Sequence, residues 1–139
     1  MQWIHITSNM GIAKPRVFIV QENEDANVVL TGTLWEKGFE PFRFTNGTEC
    51  LVKFNEMEGK VDAIVVSGII AVDRNLMLIT SIKKINKNTK VFVIADNDLD
   101  KKEILSYGAD EFSTKPTSPE NIADQLFISL SRDVVTENR

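Results

Sequence analysis

The sequence has little of what disulfide-stabilised, metal-binding or membrane proteins depend on. Its single cysteine, Cys50, excludes an internal disulfide and an all-cysteine metal site, which is typical of a reducing cytosol. No window approaches the roughly 20 apolar residues that a membrane-spanning helix needs. The N-terminus also lacks the basic start and the long apolar stretch of a signal peptide. We therefore expect a soluble, cytoplasmic protein.

Positive charge is scarce as well. The chain has 16 Lys and Arg against 20 Asp and Glu, a net charge of −4, and its basic residues are scattered. Because no basic field attracts phosphate backbones, nucleic acid is not expected as a direct ligand. A length of 139 residues fits one domain with a sizeable core. Residues 1–15 depart from the pattern that follows and are interpreted as an N-terminal extension of unknown role.

Five short runs predict the strands of a parallel sheet. Residues 16–20, 62–67 and 90–95 are nearly continuous β-branched and aromatic runs, typical of interior strands that are covered on both faces. Residues 41–44 and 110–113 are shorter and more polar, which favours edge strands.

Between the strands, the apolar residues recur with the period of a helix. The stripes predict helices over residues 26–37, 50–57, 78–85 and 98–106. The first stripe comprises Ala26, Val29, Leu30, Thr33, Leu34 and Lys37. Trp35, beside it, is expected to be partly buried. Gly108 is expected to end the fourth helix, and a fifth begins with Ser118 as N-cap and Pro119 at the first helical position.

Alternating strands and helices with short connections predict an α/β, doubly wound parallel sheet. In such a sheet, ligands and chemistry collect beyond the carboxyl ends of the strands. The candidate site residues are therefore those that end or follow strands: Gln21, Glu22, Ser67, Ala95, Asp96 and Lys115.

Two stretches carry a family resemblance. "GFEPFRFTNGTECL" is similar to the Gly-aromatic-Glu strand and the Asn-Gly-x-x-Ala-Leu helix start of the receiver domain of response regulators in two-component phosphorelays. "GADEFSTKP" is similar to the Gly-Ala-Asp-x-aromatic-x-x-Lys-Pro end of that family. The resemblance covers residues 16–131 and leaves 132–139 as a C-terminal tail. It implies the (βα)5 flavodoxin-like receiver fold, with five parallel strands in the order 2-1-3-4-5.

In that family, an acidic pair follows strand one, a phosphoacceptor Asp ends strand three, a Thr or Ser ends strand four, and a Lys follows strand five. The matching positions here are Gln21 and Glu22, Ser67, Ala95, and Lys115. Only Glu22 and Lys115 keep the charged side chain that the family has at the matching position. The family's switch aromatic corresponds to Phe112, and its Lys-Pro bond, often cis, corresponds to Lys115 and Pro116.

These departures affect the chemistry of the family. Receiver phosphorylation uses a carboxylate nucleophile and a Mg²⁺ ion held by several oxygens. Here Glu22 is the only carboxylate placed with certainty at the site, and the sole histidine, His5, lies outside the domain pattern. The resemblance therefore implies a degenerate pseudo-receiver that is not an enzyme, with no cofactor and with weak or absent Mg²⁺ binding.

A receiver-like module without phosphorylation would act by binding another protein. The expected partner is a sensor kinase, another response regulator or an output protein, and a homodimer is possible. The resemblance puts the switch and partner face at Phe112, Lys101, Lys102 and Glu103. A membrane is not expected as a partner.

Two alternatives stay open. Ser67 could accept a phosphoryl group from a separate kinase, whereas a hydrolase-type nucleophile is disfavoured because Val65 and Ile69 stand where Gly-x-Ser-x-Gly needs glycine. A small-molecule binder of flavodoxin type is the other alternative, although no glycine-rich phosphate loop follows the first strand.

The charged residues near the predicted site allow further predictions. Lys115 needs an anion or solvent, so Glu22 or Asp96 is expected to pair with it, and Asp96→Ala should then lower stability more than a surface substitution does. Asp96 and Asp98 could instead form a solvated loop and a helix cap. Asp73 is expected to cap the third helix.

Overall fold

We describe residues 14–137 of the chain in a computed structural model, with side chains through Ser131. His5, with nearly all of the expected N-terminal extension, lies outside the described residues.

The sheet has the predicted architecture. Its strands are β1 Arg16–Val20, β2 Glu40–Phe44, β3 Ala63–Ser67, β4 Lys90–Ala95 and β5 Glu111–Thr114. All neighbouring pairs are parallel, and the order is β2-β1-β3-β4-β5. The α/β fold, the strand order and the two edge strands are therefore confirmed.

The helices are α1 Glu24–Glu36, α2 Gly47–Glu56, α3 Gly68–Ala71, α4 Leu78–Ile85, α5 Lys101–Ser106 and α6 Pro119–Glu137. The short α3 was not predicted. The Ser118 hydroxyl caps α6, accepting from the Asn121 amide at 3.0 Å, and α6 continues beyond residue 131 into the segment expected as a tail. Within the described part of the chain, no helix is long and apolar enough to span a bilayer.

The sheet is covered by helices on both faces because its strands alternate their side chains. Phe18 and Val20 point into one apolar layer, which α2, α3, α4 and α5 complete. Val17 and Ile19 point into the other layer, which is closed by α1 and α6. The carboxyl ends of β1, β3, β4 and β5 therefore form one rim between the two helical layers.

The face that α1 buries differs from the predicted stripe. Its buried residues are Asn27, Leu30 and Leu34, whereas Val29 is 57% exposed. A polar contact explains this difference. The Asn27 amide donates to the carbonyl of Phe44, the last residue of β2, at 2.9 Å and to that of Gln21, just after β1, at 3.2 Å. A hydrophobic period cannot show that a buried asparagine orients this helix.

Trp35 is 58% exposed, so the prediction that it packs partly buried is wrong. It lies on the outer side of α1, where the Lys14 ammonium lies 4.5 Å from the ring centroid. The indole therefore lies at the protein surface rather than in the core.

The capping prediction for Asp73 is wrong, and the capping alternative left open for Asp98 is not what the structure shows. The Asp73 carboxylate accepts from the amides of Asn75 at 2.9 Å and Leu76 at 3.4 Å, so it stabilises the turn before α4 rather than the helix itself. α5 begins only at Lys101, after the N-cap position Asp100, so Asp98 does not cap it. Gly108 follows α5 with φ of +114°, in agreement with the predicted glycine stop.

Candidate functional site

The carboxyl rim of the sheet brings four of the predicted site residues together. Glu22 follows β1, Ser67 ends β3, Asp96 follows β4 and Lys115 follows β5, and all four line one pocket of about 10 Å³. That volume holds at most about one water molecule. These four side chains therefore leave little space between one another.

Ser67 and Glu22 form the inner half of this pocket. The Ser67 hydroxyl donates to Glu22 Oε1 at 2.6 Å, and Ser67 is only 4% exposed. A hydroxyl that donates to a carboxylate makes a short, charge-assisted hydrogen bond, which compensates for burial of the serine. Backbone torsions of −70° and 153° place Ser67 in extended conformation at the N-cap of α3, where its side chain makes no capping bond.

Lys115 and Asp96 form the outer half. The Lys115 ammonium lies 3.2 Å from Asp96 Oδ1, with the two side chains 44% and 66% exposed. The structure thus pairs Lys115 with Asp96, one of the two partners expected for it. Exposed pairs of this kind contribute about 0–1 kcal/mol, so the pair does not support the larger loss expected for Asp96→Ala.

The other two predicted positions, Gln21 and Ala95, are not among the residues that line this pocket. The Gln21 side chain turns back to accept from the Asn23 amide at 3.0 Å. Ala95 lies against Gly68, where an added β-carbon would come within 2.7 Å of the alanine methyl. The Lys115–Pro116 bond is cis, and the Lys115 amide donates to the Ala95 carbonyl at 2.8 Å, which continues the pairing beyond β5.

The donor set does not fit the Mg²⁺ ion that receiver phosphorylation uses in the family. Magnesium binding needs several oxygens in near-octahedral geometry. Glu22 already accepts from Ser67, Asp96 is paired with Lys115, and Gln21 faces away. Among the described residues, no three His, Cys, Asp or Glu side chains come together in a way that could hold a metal ion.

The predicted partner face divides into two parts. Lys101 and Lys102 are exposed on α5. Glu103 instead binds Arg74 through two hydrogen bonds of 2.9 Å each, and it also accepts from the Tyr107 hydroxyl. These contacts, first with Arg74 and then with Tyr107, lower the pKa of Glu103 to about 2. Glu103 therefore connects α5 to the loop before α4.

Phe112 lies in the middle of β5, paired with Val93, and is partly buried against the layer that contains α4 and α5. It is thus on the same side of the sheet as the helix that carries Lys101 and Lys102. This places the predicted switch aromatic beneath the expected partner face.

Sequence reasoning missed a second feature at the same rim, a cavity of about 520 Å³ between α1, α6 and the sheet. Ser67 and Lys115 line this cavity as well as the small polar pocket. No sequence motif marks it, since it depends on the separation of two helices that are remote in the chain.

No protein-family model matches the chain. A search of curated proteins finds similarity to the uncharacterized transcriptional regulatory protein YrkP of Bacillus subtilis, 25% identical over 125 residues. That alignment covers 89% of this chain and 53% of the relative, so the chain spans about half of the relative's length.

Several solved structures resemble the chain in backbone architecture. The CheY-like response regulator receiver domain protein of Methanospirillum hungatei superposes with a TM-score of 0.75 at 18% identity, covering 86% of this chain and 96% of that one. The receiver domain of Francisella response regulator 1452 gives 0.73 at 23% identity, covering 86% and 98%.

A response regulator of Burkholderia pseudomallei, solved with a phosphorylated aspartic acid, a calcium ion and citrate, gives a TM-score of 0.68 at 21% identity, covering 88% and 72%. Such identities establish architecture alone. Together with the strand order, they show that this chain has the CheY-like receiver fold of response regulators.

Proposed function

We propose that this chain is a degenerate receiver domain of two-component signalling, which acts by binding another protein without taking a phosphoryl group. The observation that carries the proposal is the pairing at the sheet rim. Ser67 is bonded to Glu22 and Lys115 is paired with Asp96, so each of these four polar side chains already has a partner within the pocket.

The comparison with a phosphorylated relative supports this proposal. The Burkholderia response regulator carries a phosphorylated aspartic acid and a calcium ion. At the position that the receiver resemblance assigns to the phosphoacceptor, this chain has Ser67, and the part of the chain that the structure describes brings together no three His, Cys, Asp or Glu side chains that could hold a metal ion. Aspartyl phosphorylation at this position would therefore lack its carboxylate nucleophile and one of the carboxylates that hold its metal in the family.

The test is an amide NMR titration with Mg²⁺ and beryllofluoride, together with intact-mass measurement after incubation with acetyl phosphate. We expect neither shifts around Glu22, Ser67 and Lys115 nor added mass. A variant with Gln21→Asp and Ser67→Asp restores two carboxylates and is the matched control, for which shifts on Mg²⁺ addition are expected. Shifts in the wild-type protein that match those of this control would refute the proposal.

One observation favours a second candidate, phosphorylation of Ser67 itself. Glu22 lies 2.6 Å from the hydroxyl, as a general base for a nucleophile would. Against it, Ser67 is only 4% exposed, and its hydroxyl is held by Glu22 in the pocket of about 10 Å³, although the serine also borders the cavity of about 520 Å³. A single added phosphoryl group that maps to Ser67, and is lost in Ser67→Ala, would establish this candidate.

The partner proposed is a sensor kinase, another response regulator, an output protein or a second copy of the chain. Lys101 and Lys102 offer exposed positive charge on α5, next to the exposed Leu105. We expect capture of a signalling protein by the immobilised domain to be lost when both lysines are changed to alanine. Glu103 is left unchanged because its contacts with Arg74 hold the helix.

The matched control changes Lys37 and Lys60, which are exposed at the amino ends of the strands. Loss of the partner in the α5 variant but not in this control would support the proposed face. Equal retention by both variants would refute α5 as the contact. Size-exclusion chromatography with light scattering on the same variants tests the homodimer.

A further inference from the structure

The cavity of about 520 Å³ beside the candidate site is large enough for a small-molecule ligand, since such sites span about 300–1,000 Å³. Its floor is the face of the sheet that carries Ile19, Val65 and Ile94. α1 contributes Val29 to one wall, and α6 contributes Ile122 to the other. The body of any ligand would therefore lie among apolar side chains.

The cavity leaves apolar side chains open to water. Val29 is 57% exposed, although it stands on the α1 wall beside the buried Leu30. Small side chains line the cavity where the two helices begin: Ala26 in α1, and Thr117 and Pro119 at the start of α6. Because exposed apolar area is unfavourable, a ligand that covers Val29 would gain hydrophobic free energy.

Polar groups line the cavity at the sheet rim. Gln21, Ser67, Lys115 and Thr117 lie there, while Asp25 belongs to the α1 wall. Lys115 is the only Lys or Arg among the described residues that line this cavity. Its partner Asp96 is two-thirds exposed and does not line the cavity, so the ammonium remains available to a second anion.

We propose that this cavity binds a small, mainly apolar molecule with one anionic group, a carboxylate or a group of similar charge, placed at Lys115. The proposal does not depend on the signalling role proposed above. Because Ser67 and Lys115 line both spaces, a bound ligand would contact the polar pocket that a phosphoryl group occupies in a working receiver.

The first experiment uses two dyes of similar shape with the full chain. One is 8-anilinonaphthalene-1-sulfonate, which is apolar with a single anionic group, and the other is the uncharged N-phenyl-1-naphthylamine. We expect saturable binding of the sulfonate dye with one site per chain and enhanced fluorescence. Absence of saturable binding would overturn the proposal.

Two variants locate the site. Val29→Trp places a large side chain into the cavity and should abolish binding. Val52→Trp is the matched control, because Val52 is 55% exposed on α2, on the other side of the sheet, and does not line the cavity. Near-UV circular dichroism and thermal unfolding verify that both variants are folded. Equal binding by the two variants would overturn the cavity as the site.

A third variant tests the anionic group. Lys115→Met removes the charge and keeps most of the side-chain length. It should weaken the sulfonate dye about 5- to 10-fold and the neutral dye by less than about 2-fold, as expected for one charge-assisted contact. Equal effects on the two dyes, or none, would overturn the assignment of the anionic group to Lys115.

Discussion

Replacing Ser67 by aspartate tests the geometry of the candidate site directly. The Ser67 hydroxyl lies 2.6 Å from Glu22 Oε1, so the substitution brings two carboxylates to within about 4 Å of each other. Two unit charges at that distance repel by about 4 kcal/mol at an effective dielectric constant of 20. Since Glu22 is exposed, solvent screening reduces this to about 2–3 kcal/mol of lost stability.

The sign of the pH dependence follows from the same contact. Burial and the neighbouring charge of Glu22 raise the pKa of the introduced carboxyl above its unfolded value of about 3.9. The loss of stability is absent below the pKa that this carboxyl has in the unfolded chain. The loss grows as the pH rises and is complete above the raised pKa of the folded state. The variant should therefore be much closer to wild-type stability at pH 4.5 than at pH 7.5.

Urea unfolding at these two pH values is the assay, and Ser67→Asn, of the same shape without charge, is the control. We expect the aspartate variant to lose about 2–3 kcal/mol more than the asparagine variant at pH 7.5, with the difference shrinking at pH 4.5. Added Mg²⁺ should reduce the deficit by bridging the carboxylates. Equal losses in both variants at both pH values would refute the proximity of Glu22.

Four further outcomes are expected. Asn27→Ala should lower the free energy of unfolding in urea by about 2–3 kcal/mol, because Asn27 is fully buried and donates to two carbonyls at the strand ends. A loss below about 0.5 kcal/mol would contradict this role. Asp96→Ala should lower stability by no more than about 1 kcal/mol, as an exposed ion pair predicts, and a larger loss in urea unfolding would show that the pair is coupled to the fold. The pKa of Glu103 is lowered to about 2, chiefly by Arg74, so Glu103 should contribute stability above about pH 4.3 that is lost as the pH falls towards 2. If Glu103→Gln and the wild-type protein lose stability equally over that pH range, this contribution is refuted. Burial raises the pKa of the Cys50 thiol to about 12, so Ellman's reagent at pH 8 should react only as the protein unfolds, and rapid labelling of the native chain would refute the burial.

The sequence by itself determined the sheet. Continuous β-branched runs at residues 16–20 and 90–95 match β1 and β4 residue for residue, because strands covered on both faces admit almost nothing else. The Ser118 cap and the glycine after α5 were also readable, since local backbone chemistry sets them. The residues at the rim could be predicted from the sequence as well, because the carboxyl ends of parallel strands lie at the same edge of the sheet.

Only the tertiary structure decided how the rim residues are partnered. Whether Glu22 meets Ser67 or Lys115 depends on ångström-scale differences between loops that leave different strands, and the spacing of residues in the sequence contains no such information. The same holds for the rotation of α1 about Asn27, for the use of Glu103 by Arg74, and for the cavity beside Lys115. Each depends on contacts between segments far apart in the chain, which packing settles and local periodicity does not.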